Sequence, residues 1–255
     1  MKADELEVGT SVRSTSGTEI LISVVEERTE RTTVYNLTVE EMEMSLEVLL
    51  RRFPETGAAA SGEGEHYVPA PLAALFERMA GRTLADGFLR FHTPASAHES
   101  YAACARLIGG LEGRYFPFAF DWMGRELLFD IRDPDARPRY VVMVDAAEGE
   151  HFTTDLGLDE FFLAVADEDE DALAFPYFED WRDANPGAPR PLGFEQVVGY
   201  KVPTLLGGED EVANLELTDR RVYFELCTQI ALQVRDLPEG TPISGIALTP
   251  PESGA

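Results

Sequence analysis

The chain has 255 residues, of which 21 are lysine or arginine and 47 are aspartate or glutamate, so its formal net charge is −26. With 44% hydrophobic and 27% charged residues, the composition is that of a folded protein and not of a disordered one. A field of this sign repels polyphosphate and anionic membrane surfaces. We therefore expect neither a nucleic-acid nor a membrane partner, and we favour a positively charged protein partner.

The sequence predicts a cytoplasmic protein. Its N-terminus, MKADELEVGT, has no apolar segment typical of a secretory signal, and no run approaches the roughly 20 apolar residues of a membrane helix. The two cysteines, Cys104 and Cys227, lie in segments with helical patterns. We expect both to be reduced and buried.

The first 54 residues are predicted to form a small β-rich unit. A mostly apolar run covers Ile20–Val25, and a second β-prone run, Thr33–Val39, follows a charged segment, which favours a hairpin. Met42–Phe53 then carries apolar residues at helical spacing and ends before Pro54. Residues 55–65 are small, polar and rich in glycine, which predicts a linker and a domain boundary.

Residues 66–245 are predicted to form one α+β domain, followed by a flexible tail over 246–255. Tight turns join consecutive predicted strands, and helical patterns come before and after them, which favours an antiparallel sheet flanked by helices. The predicted strands are Gly87–His92, Tyr115–Phe120, Glu126–Ile131, Tyr140–Val144 and Val198–Val202. The predicted helices are Pro71–Met79, Ser96–Leu107, Leu158–Val165, Asp171–Trp181 with a break at Pro176, and Asp219–Val234 with Asp219 as its N-cap.

The usual catalytic and metal-binding motifs are missing from the sequence. The acidic run at 167–171 resembles the start of a calcium loop, but Ala172 and Phe178 stand where an EF-hand needs glycine and glutamate. The four histidines form no zinc motif, and there is no GxSxG nucleophile elbow. The Gly207–Gly208 turn lacks the lysine of a phosphate-binding loop. The residues therefore predict no enzyme activity, no cofactor and no metal, and favour a binding protein.

One segment resembles a known family. It comprises Val198–Asp210 (VGYKVPTLLGGED), followed by Asn214, Asp219, Tyr223 and Gln229. This pattern is similar to the C-terminal domain of bacterial type VI secretion immunity proteins, which includes antitoxins paired with DNase effectors. The resemblance extends over roughly residues 70–240. Thr204 and Phe224 depart from the family pattern at positions where larger apolar side chains are usual.

A second segment, Thr33–Glu40 (TVYNLTVE), resembles a strand of the Hint modules found before toxin domains. Self-cleavage in those modules needs an N-terminal nucleophile and a terminal His-Asn pair. This chain has no cysteine before Cys104 and no His-Asn. The resemblance therefore implies an inactive, degenerate fragment.

The immunity family implies a protein that binds and neutralises a cognate secreted toxin without doing chemistry itself. Residues 142–255 carry 6 basic and 24 acidic residues, which suits a basic toxin such as a nuclease. Acidic and aromatic residues of the domain predicted over 66–245 are the candidate toxin interface, with Trp181 as a further aromatic anchor. The candidate interface residues are Asp121, Trp122, Tyr200, Glu209, Asp210 and Glu216.

Two other functions stay open at this point. One is an adaptor or structural protein of a secretion system. The other is a small-ligand or metal-dependent enzyme that uses the Asp121–Arg125 turn together with Glu209 and Asp210. The sequence does not identify the toxin or the oligomeric state.

Overall fold

The computed structural model describes residues 11–13, 19–21, 36–132, 139–167, 172–238, 241 and 245–248. The chain divides into two compact units, Met1–Leu37 and Thr38–Ala255. In the first unit, strands β1 (Ser11–Arg13) and β2 (Glu19–Leu21) pair in antiparallel register, with Ser11 opposite Leu21.

The second unit contains helices and a sheet, and it confirms the predicted α+β class with an antiparallel sheet flanked by helices. The helices are α1 (Asn36–Arg52), α2 (Ala73–Met79), α3 (Pro94–Leu107), α4 (Leu158–Ala166), α5 (Phe175–Ala184) and α6 (Arg220–Val234). The strands are β3 (Thr83–Leu84), β4 (Leu89–Phe91), β5 (Tyr115–Asp121), β6 (Glu126–Asp130), β7 (Val141–Asp145), β8 (Glu150–Thr153), β9 (Gln196–Tyr200) and β10 (Leu215–Asp219). Short 3₁₀ turns connect several of these elements.

Six strands form the central sheet in the order β3-β4-β5-β6-β7-β8, with every neighbouring pair antiparallel. The predicted hairpin between β5 and β6 is confirmed, and Gly124 adopts a positive φ of 81° in its turn. All residues of β6 are buried, and so are six of the seven residues of β5. Both faces of the central strands are therefore covered. Strands β9 and β10 form a separate two-stranded sheet.

Helix α1 begins inside the run that the sequence assigned to a strand. The prediction of a strand over Thr33–Val39 is wrong from Asn36 onward, and residues 33–35 lie outside the described part of the chain. The reason is tertiary packing: Met42, Leu46, Leu49 and Phe53 recur at helical spacing and are buried in the main core. Burial of this stripe outweighs the local strand preference of β-branched residues.

The same packing places α1 in the larger unit. The sequence set a domain boundary within residues 55–65, whereas the two compact units divide between Leu37 and Thr38. The predicted linker is instead tied to the sheet, because the Thr56 amide donates to Thr83 O and the Ala60 amide donates to Gly81 O. A polar, glycine-rich composition therefore does not mark a boundary here.

Most of the predicted helices are confirmed, and two of them have clear capping interactions. Thr93 and Ser96 form a capping box at the start of α3, and the Asp219 carboxylate accepts from the Val222 amide at the start of α6. The predicted break at Pro176 is wrong. Pro176 lies in the first turn of α5, where its missing N–H would have no helical partner.

Cys104 in α3 and Cys227 in α6 are buried free thiols, as predicted. Within the described ranges, no helix combines the length and apolar character needed to cross a membrane.

Candidate functional site

A group of buried polar side chains lies where α3, β6 and α6 meet. Glu126, the first residue of β6, is its centre. Its Oε2 atom lies 2.8 Å from His92 Nε2, and its Oε1 atom lies 2.8 Å from Arg220 Nη1 and accepts from Ser100 Oγ at 3.0 Å. The side chains of Glu126, Arg220 and His92 are at most 3% exposed. Both carboxylate oxygens of Glu126 are thus paired inside the protein.

Two arginines extend this group across the ring of Phe120. The Arg90 and Arg220 guanidinium carbons lie 4.7 Å and 4.6 Å from the ring centroid. Arg220 also lies 3.1 Å from Glu195, and Arg90 donates to the carbonyl oxygens of Gly193 and Asp121 at 3.1 and 3.0 Å. Burial, with a smaller contribution from Arg220, lowers the pKa of Arg90 to about 9.

The protonation states of the centre follow from burial and pairing. Burial lowers the pKa of the His92 imidazole, and this outweighs the opposite effect of Glu126. Burial alone would raise the pKa of the Glu126 carboxyl, but His92, Arg220 and Ser100 together hold it below its ordinary value. We assign an ionised Glu126 paired with Arg220 and a neutral His92 that donates from Nε2. His92 Nδ1 is then left to accept from Ser96 Oγ, which lies 3.0 Å away.

Ser96, His92 and Glu126 therefore stand in the order of a serine nucleophile, its base and an orienting acid. Their surroundings do not suit catalysis. Ser96 is held in the capping box with Thr93, and Ser96 and His92 are 5% and 0% exposed. A substrate cannot reach a nucleophile in this position, so the arrangement fixes the start of α3 against the sheet.

A cavity of about 570 Å³ reaches this group from the α3–α6 side. Ser100, Glu126 and Arg220 contribute to its lining, together with apolar side chains of α3 and α6 and Leu248 from the C-terminal segment. Sequence reasoning missed this cavity and the group beneath it. No local motif could have revealed them, because their residues come from distant elements: Ser100 and Arg220, which are hydrogen-bonded, are 120 positions apart.

The segment that resembles the immunity family forms a tightly closed loop between β9 and β10. The Asn214 side chain accepts from the Val202 amide at 3.1 Å and donates to Val202 O and Glu209 O at 2.9 and 2.8 Å. A Cβ atom at Gly208 would lie 1.8 Å from Val202 O, so only glycine fits there. We call residues 200–214 the signature loop. The path of its backbone requires the glycine at 208 and the asparagine at 214.

Tyrosine side chains hold the base of the signature loop. The Tyr223 hydroxyl accepts from the Tyr200 amide at 3.0 Å, and its ring fills the space above Gly199. The Tyr200 hydroxyl donates to Asp210 Oδ1 at 2.7 Å. Thr204, one of the departures from the family pattern, donates to Glu148 at 2.8 Å and so joins the loop to the β7–β8 turn.

The predicted interface residues divide into a buried and an exposed set. Asp121 and Trp122 are fully buried, and Trp181 is 1% exposed, so the predicted interface role is wrong for these three. Tyr200 is 9% exposed and serves the loop. The exposed set consists of Glu209, Asp210 and Glu216.

Asp121 and Trp122 are buried because they build the β5–β6 turn. Asp121 accepts from the Met123 and Arg125 amides and lies 2.5 Å from Arg125 Nε. The Trp122 indole donates to Leu173 O at 3.0 Å. Arg125 interacts electrostatically with Asp121, Asp145 and Tyr200. Since the Tyr200 hydroxyl also donates to Asp210, Asp121 and Asp210 lie in the same part of the structure. The Asp121 carboxylate is paired with Arg125, and the Asp210 carboxylate accepts from Tyr200.

Across the described residues, no group of three or more histidine, cysteine, aspartate or glutamate side chains is arranged to hold a metal ion. No protein-family model matches the chain, and no curated protein matches it. A solved structure similar to it is the "Crystal structure of Atu4351 from Agrobacterium tumefaciens", with 16% identity and a TM-score of 0.44. The match covers 72% of this chain and 88% of that chain.

Proposed function

We propose that this protein is an immunity protein, which binds a cognate secreted bacterial toxin of basic surface and neutralises it. The observation that carries the proposal is the signature loop, which holds exposed acidic residues on a backbone fixed by hydrogen bonds. Glu209, Asp210 and Glu211 are all exposed on this loop, and Glu216 is exposed on the adjoining strand β10. Carboxylates carried on a fixed backbone suit recognition of a basic protein, because little backbone freedom is lost on binding.

The charge of the whole chain supports the same proposal. A net charge of −26 steers a cationic partner toward the protein from a distance. A nuclease toxin needs a basic surface to hold its substrate, and an acidic inhibitor that covers this surface blocks the substrate directly. We assign no chemistry to the protein, since Ser96 and His92 are buried and a substrate cannot reach them.

The first test is co-expression with the product of an adjacent toxin-like gene, scoring survival and co-purification. We expect rescue by the wild-type protein, and weaker rescue by a Glu209→Gln/Glu211→Gln/Glu216→Gln variant. The matched control is Glu63→Gln/Glu77→Gln/Glu112→Gln, which removes three exposed carboxylates outside the signature loop. Equal rescue by both variants would exclude the loop as the interface, and death with soluble wild-type protein would exclude this toxin as its partner.

The dependence of the association rate on salt concentration distinguishes an electrostatic interface from an uncharged one. Raising the salt concentration from 0.05 to 0.5 M is expected to slow association with the toxin by roughly tenfold or more. An association rate that does not change with salt would contradict the role of the acidic surface. A protein whose deletion stops export, without making cells sensitive to their kin, would instead be an adaptor of the secretion machinery.

The cavity between α3 and α6 favours a second candidate function, the binding of a small apolar molecule. Its volume of about 570 Å³ lies in the range of ligand sites, and its wall is largely apolar above a polar floor at Ser100 and Arg220. An Ala103→Trp substitution should fill the cavity. Metabolite extracts that raise the melting temperature of the wild type but not of this variant would support the second function.

A further inference from the structure

Strand β8 forms an open edge of the six-stranded sheet. It lies last in the strand order, pairs only with β7, and all four of its residues are exposed. The opposite edge is covered, since Leu84 of β3 bridges to Glu55 and the Thr56 amide donates to Thr83 O. In the part of the chain that the structure describes, β8 is therefore the edge of this sheet at which another strand can add.

The register shows which backbone groups of β8 are free to pair. The Thr154 amide donates to Val141 O at 3.0 Å, toward β7. Because successive residues of an antiparallel strand direct their N–H and C=O groups to opposite sides, His151 and Thr153 direct theirs away from β7. An unpaired row of this kind is a template for an added strand.

The chain segment that contains β8 is acidic in sequence. Residues 145–160 contain six aspartates or glutamates and no lysine or arginine. Natural proteins usually protect open edges with lysine or proline, and β8 (Glu-His-Phe-Thr) has neither. Phe152, which is 42% exposed, offers an apolar contact within this acidic setting.

This edge is continuous with the acidic signature loop. Thr204 donates to Ala147 O at 3.2 Å and to Glu148 at 2.8 Å, so the loop and the β7–β8 turn are held together. The Thr204 part of the signature loop therefore contacts the β7–β8 turn, next to the β8 edge.

We propose that β8 receives an extended, lysine- or arginine-rich segment of the partner as an added antiparallel strand. This inference rests on the proposed function for the identity of the partner, which is the basic toxin. Main-chain pairing with His151 and Thr153 supplies affinity, and the surrounding carboxylates select a basic segment. A second copy of this chain is disfavoured as the occupant, because each copy carries a net charge of −26.

The decisive variant removes one outward-facing amide. Thr153 lies opposite Val142 of β7 but directs its N–H away from that strand. Thr153→Pro deletes this outward N–H, while Thr153→Val keeps the N–H and the β-branched shape. A Glu148→Lys/Glu150→Lys variant leaves every backbone group in place and serves where the proline variant fails to fold. We expect Thr153→Pro and the lysine variant to weaken the toxin complex at least tenfold, and Thr153→Val to stay within twofold of wild type.

A synthetic probe tests the edge without the toxin. The probe is an eight-residue peptide of alternating lysine and valine, and its control has the two central valines replaced by proline. We expect the alternating peptide to bind and to slow amide exchange at His151 and Thr153 at least tenfold, and the proline peptide to do neither. Absence of protection at β8, or equal binding of the two peptides, would overturn the proposal.

The two proposals fail in different ways. If wild type and Thr153→Pro rescue cells equally and bind the toxin equally, the immunity function stands and strand addition is wrong. If the wild type does not rescue but the peptide protects β8, the edge stands as an acceptor of basic strands and immunity against this toxin is wrong. Concentration-dependent dimerisation that protects β8 without peptide would overturn the basic partner in favour of a second copy.

Discussion

Glu126 shows how a single residue can control the packing of three elements. It accepts from His92, Ser100 and Arg220, which lie after β4, in α3 and at the start of α6. A buried ion pair adds little stability over an apolar equivalent, but removing one partner leaves an uncompensated charge. The energetic consequence of losing this carboxylate is therefore much larger than the gain from the pair itself.

We expect Glu126→Gln to lower the free energy of unfolding by about 3–5 kcal/mol, because Arg220 would keep only the partly exposed Glu195 as a counter-charge. Urea unfolding measures this change. The control is Glu225→Gln, which breaks a surface ion pair with Arg106 and should cost less than about 1 kcal/mol. Similar losses in both variants would contradict a special role for Glu126.

Gly208 is a second position where one atom decides the structure. We expect Gly208→Ala to open the signature loop, since the new Cβ would lie 1.8 Å from Val202 O. A cost of about 2 kcal/mol or more is expected, typical of strained or overpacked sites. Gly187→Ala is the matched control, because nothing lies within 4 Å of its Cβ position. Rapid amide exchange at Val202 in the Gly208 variant alone would report loss of the Asn214 hydrogen bonds, and unchanged exchange would contradict the close approach.

At the scale of elements, helix α1 differs most from its prediction. The sequence assigned it to the N-terminal unit, whereas the structure places it in the α+β unit. Leu46 and Leu49 are fully buried in the main core, and Phe53 packs 4.9 Å from the ring of Phe88. The helix is thus a structural member of the α+β unit and not of the segment that precedes it. Fragments that begin before or after this helix test to which unit it belongs.

We expect a fragment of residues 38–255 to unfold cooperatively, and a fragment of residues 66–255 to be less stable by several kcal/mol. The shorter fragment loses the apolar stripe of α1, and each fully buried large apolar side chain contributes about 1.5–3 kcal/mol. Thermal unfolding followed by circular dichroism compares the two. Equal melting temperatures would instead support a boundary within 55–65.

At the scale of the whole molecule, buried titrating groups predict loss of stability in mild acid. The pKa of His92 is lower in the folded state than its ordinary value of 6.5, so the unfolded chain takes up this proton first as the pH falls. The pKa of Glu126 is also lowered in the folded state, so the protein loses further stability as the pH falls below the ordinary pKa of 4.5. Asp145 acts in the opposite direction, because burial raises its pKa above 3.8.

The free energy of unfolding is therefore expected to fall as the pH is lowered from about 7 to 5, with a slope of at most about 1.4 kcal/mol per pH unit for one proton. Urea unfolding at pH 8, 7, 6 and 5 measures the slope. In His92→Gln the slope over this range should flatten, since no imidazole remains to titrate. A wild-type stability that rises toward pH 5 would contradict a neutral buried His92.

The signature loop illustrates how much of the candidate site could be predicted. Its glycine, asparagine and tyrosine pattern located the segment. The exposed acids Glu209 and Asp210 of the loop and Glu216 of β10 remain candidate interface residues. The pattern could not tell which neighbours are exposed. Asp121 ends strand β5 and Trp122 follows it. Contact with Arg125 buries Asp121, and contact with Leu173, which is distant in the sequence, buries Trp122.

The sequence by itself determined the acidic character, the α+β class, most helices and central strands, and the cap at Asp219, because periodicity, charge and capping are properties of neighbouring residues. Only the tertiary structure decided the start of α1, the burial of Trp122, the Glu126 group and the open edge at β8. Each of these depends on contacts between segments far apart in the chain. Such contacts leave no local pattern, since the free energy that selects them comes from burial and pairing in the assembled core.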